Sequence, residues 1–363
     1  MSGSMPAEQP ARPIWSHVGI FLVLTFGLAW LLDLGIYLHG GLKQPGIVTA
    51  LQLQMLLPAS SATVLGMFFF RESPLHRSRE VGPGRWFYRF VLALTGMFAV
   101  CVAVMWLVPR RGVFVAVGAV APIAGFLGLV LLIVLRIVAG RGEMARVGIA
   151  WGGARFYIVL GLGVVGFYVL QAVLNGLLGL GPARFGSFPT PPGLGRPAAL
   201  LLAGLQSVVL APFIGIVLAF GEEYGWRGYL QRELVKLGRV RGVLIVGAIW
   251  GAWHWPIILM GWSYPGYPLV GLLLAVLFLM GFAVVLGFAL LRTGSIVLVA
   301  FLHALNDQTT AYLVFLGFKP DNPVFSFGVG IYGVAALAVV AILFVVLSGV
   351  WRKQVLAGRE SAE

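Results

Sequence analysis

Charge is scarce in this chain. Only 10% of its 363 residues are Asp, Glu, Lys or Arg, while 60% are hydrophobic and the mean hydropathy is +0.98. An average soluble domain is about 25% charged. A soluble fold of this length cannot hide so much apolar surface, which excludes a water-soluble enzyme and a disordered polar chain. Acidic residues are scarcest, 12 against 25 basic ones. In a polar chain the resulting net charge of +13 would suggest nucleic acid. In an apolar one it reads as the Lys and Arg that gather at cytoplasmic helix ends beside anionic lipid, and no nucleic-acid partner is expected. Cysteine is nearly absent: Cys101, alone in an apolar run, excludes a disulfide framework and a thiolate metal site. Strand-type alternation does not recur, so a membrane barrel is not expected.

What the chain has is long apolar runs. Ten approach the roughly 20 residues that a membrane helix needs: about 17–38, 47–70, 90–108, 113–138, 156–180, 198–220, 243–262, 269–291, 294–318 and 327–350. Several carry an internal proline (Pro58, Pro122, Pro212, Pro256), and glycine totals 50. Membrane helices tolerate both residues, and small side chains let neighbouring helices approach closely. The fold class expected is all-α, a polytopic transmembrane bundle of about ten spans.

With the N-terminus inside and the spans alternating, nineteen of the 25 Lys and Arg fall on the inner side. The positive-inside rule then puts both termini in the cytoplasm of a multi-pass plasma-membrane protein. Residues 1–14 read as a disordered tail and 15–180 as five N-terminal spans of unassigned role. The Pro- and Gly-rich stretch 181–197 reads as a linker, 198–350 as a five-helix functional part and 351–363 as a cytoplasmic tail. The first span lacks a cleavage site and is expected to be retained. No repeat relates the two halves, which argues against a transporter built on internal symmetry.

Most acids lie in tails or basic loops. Apart from Asp33, the ionisable side chains within apolar helices fall between residues 222 and 307, and a group of that kind at membrane depth is a functional hypothesis by default. Glu222 and Glu223 are adjacent, so on a helix they point about 100° apart. Glu223 can pair with Arg227 four residues on, which leaves Glu222 free to face elsewhere. Trp250 and His254 share a helix face, with further tryptophans able to wall a dry pocket. His303 and Asp307 also share a face, with Asn306 one residue off it. Bundle cores commonly build sites this way, from side chains on facing helices.

Glu222-Glu223-x-x-x-Arg227, the aromatic Trp250 four residues before His254, and His303-x-x-x-Asp307 together resemble the three signature motifs of the CAAX protease and bacteriocin-processing family. That family includes the type II CAAX prenyl endopeptidases. The Trp-Arg-Gly-Tyr-Leu run after the paired glutamates extends the likeness, which covers roughly residues 200–310. The resemblance implies an intramembrane endopeptidase of the glutamate type. In it Glu222 deprotonates water, His254 holds that water, and His303 and Asp307 face the oxyanion of the tetrahedral intermediate. Glu223 and Arg227 support them. The family commonly has Asn where this chain has Asp307. An ionised Asp cannot donate to an oxyanion, so a protonated Asp307 or the preceding Asn306 fills that role, or Asp307 orients His303.

Peptide hydrolysis by this route needs a base, oxyanion donors and restricted water, but no Ser or Cys nucleophile. The chain has neither His-Glu-x-x-His nor Gly-x-Ser-x-Gly. No cofactor is expected, with zinc held by Glu222, His254 and His303 as the alternative. Two rival functions would use the same polar cluster, that of an ion-coupled transporter and that of a non-catalytic immunity protein. The partner expected is a peptide or lipid-modified protein substrate.

Overall fold

The computed structural model describes residues 12–78, 82–182, 185–187, 190–313 and 319–352. The tails expected over 1–14 and 351–363 lie almost wholly outside these residues. Among the described residues every regular element is helical. Three apolar helices come first, α1 (Trp15–Leu38), α2 (Ile47–Phe68) and α3 (Arg85–Leu107). Then α4 (Arg111–Gly118) and α5 (Val120–Val138) make one span, and the short α6 (Gly140–Arg146) leads to α7 (Ala154–Leu177). A continuous helical stretch, Arg196–Leu237, holds α8 (Arg196–Leu205), α9 (Ala211–Glu223) and α10 (Gln231–Leu234). Two π-helical segments interrupt it, Gln206–Leu210 and Tyr224–Leu230. The last helices are α11 (Arg239–Trp253), α12 (Trp255–Leu259), α13 (Pro268–Thr293), α14 (Ile296–Thr310) and α15 (Ile331–Leu347).

Seven of these helical stretches are long and apolar enough to cross a bilayer, so the chain is a multi-pass helical membrane protein. The other three expected spans are shorter helices. The 243–262 run breaks at His254, because Pro256 has no N–H to continue the ladder and its ring clashes with the carbonyl four residues back; α11 and α12 flank the break. The 294–318 run is helical as α14 for 15 residues, and 314–318 lie outside the described residues. The 327–350 run contributes the 17 residues of α15. At 1.5 Å per residue, fifteen residues rise about 22 Å, short of the roughly 30 Å hydrocarbon core.

Two helices form the centre. Every residue of α14 from Ile296 to Asn306 is buried. Helix α2 is buried over most of its length and carries small and polar side chains there, among them Ala59, Ser60, Ser61, Ala62 and Thr63. That composition suits a helix enclosed by others, since small side chains admit close neighbours and hydroxyls bond locally. Helices α1, α3 and α7, by contrast, leave many large apolar side chains facing outward, such as Val23, Leu107 and Leu162.

Glycine pairs four apart set the closest crossings. Gly221 and Gly225 face α2, where an added Cβ would lie 2.5 Å from the Met55 carbonyl oxygen and 2.4 Å from Pro58 Cβ. Gly247 and Gly251 face α13, where it would lie 2.6 Å from Met280 Cα and 2.6 Å from Val276 Cα. Both are small-x-x-x-small contacts, in which two backbones meet with nothing between them. The first fixes the helix that carries Glu222, Glu223 and Arg227, and the second the helix that carries Trp250 and ends at His254.

Contacts also tie the loops into two sets. At one end the Ile14 amide donates to Glu233 at 2.9 Å, Lys236 pairs with Glu233 at 2.8 Å, Arg239 donates to the Val350 carbonyl at 2.6 Å, and Ser295 donates to the Ala150 carbonyl at 2.8 Å. At the other, Trp106 donates to Gln44 at 2.9 Å and the Asp321 amide donates to the Leu180 carbonyl at 2.9 Å.

Candidate active site

The three motif helices bring their polar side chains together inside the bundle. Glu222 and Glu223 close α9 at its junction with the π-helical segment Tyr224–Leu230, and single π turns often mark functional sites. Glu222 is 3% exposed, and Glu223 and Arg227 are fully buried. Adjacent on the helix, the two carboxylates face different partners, as their spacing requires.

Glu222 turns toward α11. Trp250 Nε1 donates to Glu222 Oε2 at 2.6 Å. Its other oxygen, Oε1, carries no side-chain hydrogen bond among the described residues. Glu222 also lies within electrostatic reach of His303, Asp307 and Glu223. A carboxylate with one oxygen fixed and the other open can aim a lone pair at a small molecule.

Glu223 turns toward α14. Its Oε1 accepts from Arg227 Nη1 at 3.1 Å and meets His303 Nδ1 at 2.7 Å. The Arg227 guanidinium lies over the Trp250 ring, 3.9 Å from its centroid. A cation on an indole face is stabilised by the ring quadrupole, more so away from water. Trp250 therefore holds Glu222 through its edge and Arg227 through its face. Expected from sequence as a pocket wall, it is the side chain that joins the two carboxylates' surroundings.

His254 occupies the break between α11 and α12. Its Nδ1 meets the Trp250 carbonyl at 2.9 Å. A carbonyl only accepts, so Nδ1 carries the hydrogen and Nε2 is left as the acceptor. Nε2 has no bonded partner among the described residues. Trp253 stacks edge-on against the imidazole at 4.8 Å, and the Trp253 carbonyl in turn accepts from Trp30 Nε1 of α1 at 3.2 Å.

His303 has a carboxylate on each side, Glu223 at Nδ1 and Asp307 Oδ2 at 3.4 Å from Nε2. The second contact is long for a hydrogen bond, whose usual length is about 2.9 Å. Asp307 is half-exposed, while Asn306 is buried and donates from Nδ2 to Asp307 Oδ1 at 3.0 Å. All eight residues singled out from the sequence thus stand in or beside one polar cluster. Asp33, left outside the site, is buried in α1 and accepts from Gln54 of α2 at 3.1 Å.

Spacing could not show the Glu223–His303 contact, which joins residues 80 apart in sequence, nor the contribution of α7. Tyr168 of α7, 4% exposed, donates its hydroxyl to Asn306 Oδ1. A polar residue on the inward face of an otherwise apolar span is the one sequence signal that points to it.

Among the described residues no three His, Cys, Asp or Glu side chains, Glu222, His254 and His303 included, gather as a metal-ligand set. Both ring nitrogens of His303 face carboxylates.

Fold and site together define a polytopic helical membrane protein with a buried cluster of acids and histidines between its helices. Residues 204–309, which contain all three motifs, match the family described as type II CAAX prenyl endopeptidase Rce1-like, and the resemblance read from the motifs holds over this stretch. No curated protein and no solved structure matches the chain.

Proposed function

We propose that this protein is an intramembrane endopeptidase that hydrolyses a peptide bond with water activated by Glu222, without a covalent intermediate. The family match supports proteolysis. The observation that carries the mechanism is that Trp250 holds both residues, its Nε1 donating to Glu222 Oε2 and its carbonyl accepting from His254 Nδ1, so that Glu222 Oε1 and His254 Nε2 are the acceptors left for water. A water between them gives one hydrogen to Glu222 Oε1 and the other to His254 Nε2, which leaves its lone pair for the scissile carbonyl. Glu222 takes the proton as the C–O bond forms and returns it to the leaving amine as the C–N bond breaks.

The developing oxyanion needs donors aimed at it. His303 supplies Nε2–H, which its long contact to Asp307 leaves available to a stronger acceptor, and Asn306 supplies its remaining amide hydrogen. Asp307, an acceptor toward both, orients them. Glu223 and Arg227 hold His303 and Trp250 from behind.

Both termini lie on the cytoplasmic side of the plasma membrane in this reading. The contacts that gather Ile14, Glu233, Arg239 and Val350 at one end of the bundle support placing the two termini on the same side. The concentration of Lys and Arg in the same loops supports the cytoplasmic side, beside anionic lipid. The remaining three apolar runs complete ten spans by local bilayer thinning around short helices. The substrate is a peptide or a lipid-modified protein whose lipid stays in the bilayer while its chain reaches the site.

Glu222→Gln keeps the hydrogen bond from Trp250 and removes the base. The purified variant is expected to lose at least about 100-fold in kcat on a quenched peptide carrying a prenylated Cys, since a general base contributes roughly 10²–10⁴-fold. A strong chelator is expected to leave wild-type cleavage within about two-fold. Chelator-dependent loss restored by zinc would replace this mechanism with a metal-assisted one.

A further inference from the structure

Asn306 is buried, and its amide has a defined orientation: Oδ1 accepts from Tyr168 and Nδ2 donates to Asp307 Oδ1 at 3.0 Å. These two contacts agree with each other. Asp307 Oδ1 is an acceptor, so it requires the NH₂ end, and the Tyr168 hydroxyl offers its hydrogen to the carbonyl end. Rotating the amide by half a turn would bring two acceptor oxygens together at Asp307. Asp307 is half-exposed, whereas Tyr168 is buried and holds the amide from within the bundle.

Tyr168 sits on a polar stripe of α7. Gln171 and Asn175 follow at the third and seventh positions, all three buried. The other two bind a different segment: Gln171 Oε1 accepts from the Gly328 amide at 2.6 Å, and Asn175 Oδ1 from the Phe327 amide at 2.9 Å. The stripe brackets residues 327–328 with two of its members and reaches the polar cluster with the third. Helix α7 lies outside residues 204–309.

We propose that Tyr168 is a positioning residue for hydrolysis: its hydroxyl locks the Asn306 amide so that one N–H holds Asp307 and the other stays aimed at the oxyanion. This rests on the reading of the site as a hydrolytic centre. Asn306 then fills the donor role that the neighbouring Asp307, an acceptor, does not, and a helix from the N-terminal half completes a site whose signature motifs all lie in the C-terminal half.

The test is a double-mutant cycle on the full-length protein in detergent, with the prenylated quenched peptide as substrate. Tyr168→Phe is expected to lower kcat about 10-fold with KM little changed, less than the roughly 10²–10³-fold cost of deleting an oxyanion donor outright. Asn306→Ala is expected to show that larger loss, and the double variant no further loss, because the hydroxyl acts through the amide. Gln171→Leu, on the same stripe, is expected to lower the thermal midpoint and leave kcat unchanged. A Tyr168→Phe enzyme with wild-type kcat overturns the proposal, as do losses that multiply in the double variant. A Glu222→Gln control separates this from failure of the mechanism itself. If that variant cleaves at the wild-type rate, the hydrolytic reading is wrong and the positioning role falls with it; if it is inactive, the cycle reports on Tyr168 alone.

Discussion

Glu223 and Arg227 are both fully buried and partner each other at 3.1 Å. Removing one member of such a pair strands the other charge away from water, at a cost of about 3–5 kcal/mol. Arg227→Met is therefore expected to lower the thermal midpoint in detergent strongly, whereas Glu223→Gln combined with Arg227→Met loses less than the sum of the two single changes. Strict additivity would show that the pair is not coupled. The i, i+4 spacing of this pair is plain in the sequence, as is that of His303 and Asp307. What spacing cannot carry is the cross-helix partner. His303 Nδ1 meets Glu223 from 80 residues away, and Trp250 serves Glu222 with its edge and Arg227 with its face. Those contacts depend on how far α9, α11 and α14 slide and rotate against one another, which no local pattern records.

At the scale of elements, glycine spacing decides where helices touch. A side chain at Gly251 would meet the α13 backbone at Val276, and one at Gly225 would meet the α2 backbone at Pro58. Gly251→Val is expected to push α11 from α13, shift His254 and abolish cleavage, and Gly225→Val to prevent stable accumulation. Gly163→Ala in α7 meets nothing within 4 Å and is expected to be tolerated, with a stability gain of up to about 1 kcal/mol from the better helix former. Normal cleavage by Gly251→Val would contradict the role given to this crossing. Both glycine pairs are visible in the sequence as small-x-x-x-small, but which neighbour each one meets is not. The helices themselves follow the apolar runs closely, because in a bilayer every backbone group must bond within its own helix. The π-helical turns at Gln206–Leu210 and Tyr224–Leu230 do not follow from the runs. They re-register a helix by one residue, and hydrophobicity does not report that change.

The whole molecule is organised around two enclosed helices, α2 and α14, and they come from opposite halves of the chain. The division at 181–197, drawn from Pro and Gly content, marks a connection; it does not separate the packing, since α2 bears on α9 through Gly221 and Gly225 and Tyr168 of α7 reaches Asn306. In the proposed topology the basic loops set the sidedness. In a Cys101→Ser background, Thr190→Cys is expected to react with a membrane-impermeant thiol reagent in right-side-out vesicles, and Ser361→Cys only after permeabilisation. The opposite pattern would invert the topology and place the Glu233 and Arg239 end outside.

The central claim is that Glu222 activates water for peptide hydrolysis. Its most direct test is cleavage of quenched peptides, with and without a prenylated Cys near the C-terminus, by purified wild type beside Glu222→Gln of equal thermal stability. The account predicts cleavage by the wild type, stronger on the lipidated peptide, and at least about 100-fold less by the variant. Equal turnover by the two proteins would contradict it.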